Sequence, residues 1–120
     1  MGVEEFINSI ENIPINSELI LGIEKVYEVK LPEYIGKILS FDANGYFFGD
    51  NKRLLSVKEI IDAYEDLHVD FKSMGTIPLF DTGDNDFVLY SFEDNSWKMF
   101  NIVDRCEFYQ SSDLITLLLM

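Results

Sequence analysis

The sequence predicts one α+β domain, with helices packed against an antiparallel sheet. Three observations predict it. Apolar residues recur at helical spacing through the first third of the chain. Short aromatic and β-branched runs, separated by tight polar turns, fill the second half. No linker, repeat or low-complexity tract divides residues 1–120, so a single domain is expected.

Val3, Phe6, Ile7 and Ile10 give VEEFINSIEN one apolar face, and the stretch around Pro14 ends that helix. Leu19, Ile23, Val26 and Tyr27 repeat the period in a second helix. Leu31 and Pro32 then open a third, in which proline suits the first position because its missing N–H costs nothing there. Tyr34, Ile35, Ile38 and Leu39 supply its apolar face.

DANG, residues 42–45, is a turn, followed by GYFFGD and RLL as two short strands around GDNK. Ser56 and Glu59 form a capping box that starts a helix reaching about Leu67, with Val57, Ile60, Ile61 and Tyr64 on its buried face. Ile77 to Phe80, Phe87 to Phe92 and Trp97 to Val103 read as three strands of an antiparallel meander. SSDLITLLLM reads as a terminal helix capped by Ser111 or Ser112.

Composition narrows function. Nine basic residues against 22 acidic ones give a net charge of −13. That charge repels phosphate backbones and anionic membrane surfaces, so neither nucleic acid nor membrane is an expected partner. It favours a basic protein partner. One cysteine, Cys106, excludes an internal disulfide framework and points to a reducing, cytoplasmic compartment. MGVEEFINSIENIP has neither the basic start nor the long apolar run of a signal peptide.

The acidic knot DTGDND offers Asp81, Asp84 and Asp86 as hard oxygen ligands. Its glycine falls at the wrong place for a calcium loop and no closing glutamate follows, so a hairpin turn without metal is expected. His68, the single histidine, and Cys106 are the one pair from which nucleophilic chemistry could be built, and no motif joins them. No catalytic residue and no cofactor site is assigned. Phe87, Leu89 and Ser91 alternate with Val88, Tyr90 and Phe92, so both faces of that strand carry apolar groups, to be covered or left as a sticky surface.

The assembled order resembles the SUKH superfamily, named for a yeast cell-wall assembly regulator and its bacterial relatives (SMI/KNR-like). The resemblance rests on GIEKVYEVKLPEYIGKIL with its Leu31-Pro32 dipeptide, the Asn44-Gly45 turn, LLSVKEII, and IPLFDTGDNDFVLYSF before a short terminal helix. It covers nearly the whole chain. It implies a non-catalytic domain that acts by binding, many bacterial members being immunity proteins that neutralise a cognate toxin, often a nuclease. A regulatory scaffold or small-ligand module of the same fold is the alternative it leaves open. The expected partner is thus a basic toxin, met by a monomer or weak homodimer. Loops carry contacts, so Asp42, Asp50, Asp84, Asp86, Glu93 and Asp94 are the expected partner-binding acids. Glu4 and Glu5 read as distant from them.

Overall fold

The computed structural model describes residues 1–120. Three helices come first: α1 (Val3–Ser9, continued by a 3-10 turn over Ile10–Asn12), α2 (Ser17–Tyr27) and α3 (Glu33–Leu39). Strands β1 (Tyr46–Phe48) and β2 (Lys52–Leu54) precede two short helices, α4 (Val57–Ile61) and α5 (Ala63–Leu67). Strands β3 (Thr76–Gly83), β4 (Asp86–Ser91), β5 (Ser96–Asn101) and β6 (Cys106–Ser111) lead into α6 (Leu114–Leu118). All six strands lie in one antiparallel sheet in the order β1-β2-β3-β4-β5-β6. The α+β class and the meander follow the expectation, and the meander is longer than expected.

Local chemistry explains most boundaries. Asn16 caps α2, its side-chain oxygen accepting from the Leu19 N–H at 3.2 Å. The Ser56–Glu59 capping box forms in both directions, at 3.1 and 3.0 Å. Pro32 sits one place earlier than predicted, at the cap of α3, with φ −58° and ψ 151°. Asp113 rather than either serine caps α6, accepting from the Ile115 N–H. Gly45 has φ +84°, and a Cβ there would lie 2.9 Å from the Leu54 carbonyl oxygen. Gly45→Ala is therefore expected to cost about 2 kcal/mol or more, read as a lowered urea midpoint.

The predicted helix to Leu67 is two helices, broken at Asp62. Ile60 keeps its buried place, but the break rotates Tyr64 outward to 63% exposure. Val26 and Tyr34, also predicted on apolar faces, are partly exposed, at 41% and 39%. Leu31 is buried, as are Phe6, Ile10, Ile23, Ile35 and Ile38.

Every position of β4 from Phe87 to Ser91 is buried, because both faces of the central sheet are covered. On one face Phe6 of α1 stacks on Phe48 at 4.1 Å and meets Phe80 edge-on at 5.9 Å. Phe80 pairs across the ladder with Val88, which pairs with Met99. On the other face Phe71, in the turn before β3, meets Phe100 edge-on at 5.8 Å. No helix is long and apolar enough to cross a membrane.

Candidate functional site: an acidic rim of three turns

The up-and-down strand order sends alternate turns to opposite ends of the sheet. The β1–β2, β3–β4 and β5–β6 turns therefore share one end. They carry Asp50, then Asp84 with Asp86 at the start of β4, then Asp104. All except the half-buried Asp86 are exposed.

The β3–β4 connection is a two-residue hairpin turn. Asp84 and Asn85 have φ of 55° and 66°, the left-handed pair that a primed turn needs to match strand twist. DTGDND is thus a hairpin, as expected, but β3 runs to Gly83 and only two residues lie outside strands. Its carboxylates are used locally. Asp81 accepts from the Gly83 N–H at 2.9 Å, and Asp86 accepts from the Asn101 side chain at 2.8 Å. No group of three or more His, Cys, Asp or Glu side chains converges as a metal site.

Asn101 welds two of the turns together. Its amide nitrogen donates to the Asp86 carboxylate and the Asp84 carbonyl, and its oxygen accepts from the Val103 and Asp104 N–H groups. The Ile102 N–H donates to the Asn85 carbonyl at 3.0 Å. The third turn abuts the second, with the Asn51 side chain 4.0 Å from where a Cβ on Gly83 would lie. Two of the three turns are therefore held together by hydrogen bonds, and the third lies beside them.

The N-terminal helix extends this array. The Gly49 N–H donates to the Met1 carbonyl at 2.8 Å, and Glu4 and Glu5 line one open cleft of about 500 Å³ with Asp50. The expectation that Glu4 and Glu5 stand apart from the partner-binding acids is corrected by this placement. Of the other predicted acids, Asp42, Glu93 and Asp94 lie at the opposite end of the sheet, in the turns before β1 and between β4 and β5. Asp42 accepts from the Asn44 N–H, and Asp94 is paired with Lys98 at 3.2 Å.

Charge pairing sharpens the contrast. Seven of the 22 acids take part in salt bridges, leaving fifteen without one. Five of the nine bases do, leaving only Lys25, Lys30, Lys52 and Arg105. Of those four, Lys52 donates to the Met120 carbonyl and Arg105 to the His68 carbonyl. The rim acids Asp50, Asp84, Asp86 and Asp104 are all among the fifteen.

Behind the rim lies a cluster the sequence did not announce. Arg53 grips Glu59 with both guanidinium nitrogens, at 2.6 and 2.9 Å, and reaches Asp81 at 3.3 Å. The exposed Phe47 ring lies 5.8 Å from its guanidinium carbon. Arg53 faces Asp81 across the β2–β3 ladder, and Glu59 arrives from α4 through the capping box. The Arg53 hydrogen bonds hold the Glu59 carboxyl below its ordinary value of 4.5. Its stabilising contribution is thus full above pH 4.5 and is lost as pH falls through the depressed folded value. Glu59→Gln should cost stability at pH 7, and the gap to the parent protein should narrow on acidification below 4.5 in urea titrations.

His68 ends α5 in the left-handed region, with φ 57°. Arg105 brings the start of β6 to the His68 carbonyl at 2.9 Å, so His68 and Cys106 lie on adjacent segments. No hydrogen bond joins the imidazole to the thiol, and both residues are exposed. Comparison with family models, with curated proteins and with solved structures finds no match to the chain.

Proposed function

We propose that this chain is a non-catalytic module that neutralises a basic protein by stoichiometric binding. The observation that carries the reading is the rim: Asp50, Asp84, Asp86 and Asp104, none of them in a salt bridge, on three turns at one end of the sheet, two of which are hydrogen-bonded together, with Glu4 and Glu5 lining a cleft with Asp50. A row of carboxylates along one end of the sheet presents negative charge to a partner, as a phosphate backbone does. A groove lined by Lys and Arg to hold nucleic acid accepts such a line for the same electrostatic reason. Filling that groove would exclude the substrate without any chemistry by the module.

The resemblance to SUKH proteins directs the partner towards a cognate bacterial toxin domain, a nuclease first. The test is co-expression with the product of the adjacent gene, scoring growth rescue and co-purification in equal amounts. A toxin that stays active inside an equimolar complex, or a failure to form any complex at low salt, would reject the reading.

A further inference from the structure

A small pocket opens between α2, the α4–α5 pair and the segment that leads into β3. Its volume is about 120 Å³, and neither the rim acids nor the Arg53 cluster line it. Three of its residues are aromatic: Tyr27, Tyr64 and Phe71. Two of these are buried and held in place. The Tyr27 hydroxyl donates to the Ile60 carbonyl at 2.6 Å, and Phe71 meets Phe100 edge-on. The third, Tyr64, is the residue that the break at Asp62 turns outward, and with Val26 it leaves apolar surface in water at the pocket.

Asp70 and Lys72 are the charged residues that line the pocket. Lys72 is taken by an ion pair with Glu28, whereas Asp70 is in no salt bridge and accepts from the Ser73 N–H and hydroxyl at 3.2 and 2.6 Å. Asp70, Lys72 and Glu28 together therefore leave a single negative charge. That charge is felt inside: burial first, and then Asp70, push the Tyr27 hydroxyl above its ordinary pKa. Next in sequence to lining residues stand Lys25, Asp62 and Glu65. Asp62 is paired with Lys58, the other two are opposite in sign, and none of them lines the pocket.

The occupant follows from size and charge. An apolar cavity of about 150 Å³ takes one benzene ring, so this pocket holds one compact group rather than a drug-sized ligand. The negative charge and the aromatic residues favour a cation. A bare ammonium would leave its N–H donors unsatisfied against apolar walls. A methylated ammonium keeps the charge and turns methyl groups to those walls. We propose that this pocket binds a methylated ammonium group, enclosed by Tyr27, Tyr64 and Phe71 with the Asp70 carboxylate beside it. Such a site works with or without a basic partner on the rim. The group can belong to a free small molecule or to a methylated lysine.

The test titrates the intact chain with choline and with dimethylbutanol, its uncharged carbon isostere, following backbone amide shifts by NMR. Choline should bind saturably, with shifts centred on the pocket segments, and the isostere at least about tenfold more weakly. Tyr64→Ala and Asp70→Asn should each weaken choline about fivefold or more. Tyr64 is exposed, so its removal should leave the urea midpoint unchanged. A short neutral peptide carrying trimethyl-lysine, run in parallel, separates the sources: tighter binding than choline supports the site with a protein side chain as its ligand, weaker binding supports it with a free small molecule. Equal binding of choline and the isostere would make this a plain apolar pocket and overturn the proposal. So would choline binding that Tyr64→Ala leaves intact, or no saturable binding of either methylated ligand.

Discussion

Phe6→Ala should lower the free energy of unfolding by about 3 to 5 kcal/mol, the range for truncating a fully buried aromatic residue. The ring is 0% exposed. It stacks on Phe48, tilts against Phe41 at 5.0 Å and meets Phe80 edge-on. Removing it deletes all three ring contacts and leaves a cavity between α1 and the sheet. Seven residues are too few for a helix to persist on its own propensity, so α1 depends on this docking. The damage should therefore also be local. The Gly49 N–H, held by the Met1 carbonyl, should exchange faster in the variant even under conditions where the domain stays folded. Leu21→Ala, at a 65% exposed position on α2, is the control and should change stability by no more than about 0.5 kcal/mol. A Phe6→Ala loss below about 1 kcal/mol in urea titrations, with unchanged slope, would show that the ring is not a core element.

The elements whose logic is local could be read in the sequence. The Ser56–Glu59 capping box needs only residues three apart, and DTGDND announces its hairpin through residues that tolerate positive φ. Strand β6 is not marked in the sequence, because Cys106 to Gln110 are all exposed and no alternation of apolar and polar residues distinguishes one face. The break at Asp62 was missed because Val57, Ile60, Ile61 and Tyr64 keep a helical period straight through it. Arg53 was missed because one partner, Asp81, lies 28 residues away and meets it only across a ladder. The rim has the same character. Half of the six acids singled out, Asp50, Asp84 and Asp86, belong to it, and Asp104 was not named. Those turns become neighbours only because the strands run up and down in sequence order, which places every second turn at one end. Turn chemistry marks single turns, and only topology says which ones share an end.

That separation makes the charge prediction selective. Association with a basic partner should be electrostatically steered, because opposite charges act at a distance before contact forms. Salt screens that field over about 10 Å at 0.1 M, so the on-rate should fall about tenfold or more from low to high salt while the off-rate changes less. Asp50→Asn, Asp84→Asn, Asp86→Asn and Asp104→Asn combined should reproduce much of that fall at low salt and flatten the salt dependence. Asparagine is the right replacement, since it tolerates the left-handed backbone at Asp84 and so removes charge without undoing the turn. Glu11→Gln, Glu18→Gln, Glu65→Gln and Glu93→Gln combined remove as much charge from exposed positions outside the rim, and should slow association far less. Glu93 gives the comparison its edge, because loop position alone nominated it as strongly as Asp84. Stopped-flow kinetics across a salt series, with both variants, reads the result. Equal slowing by the two sets would mean that net charge alone steers the encounter and that the rim has no special part. An on-rate indifferent to salt would move the binding face to the exposed aromatics Phe47, Phe108 and Tyr109.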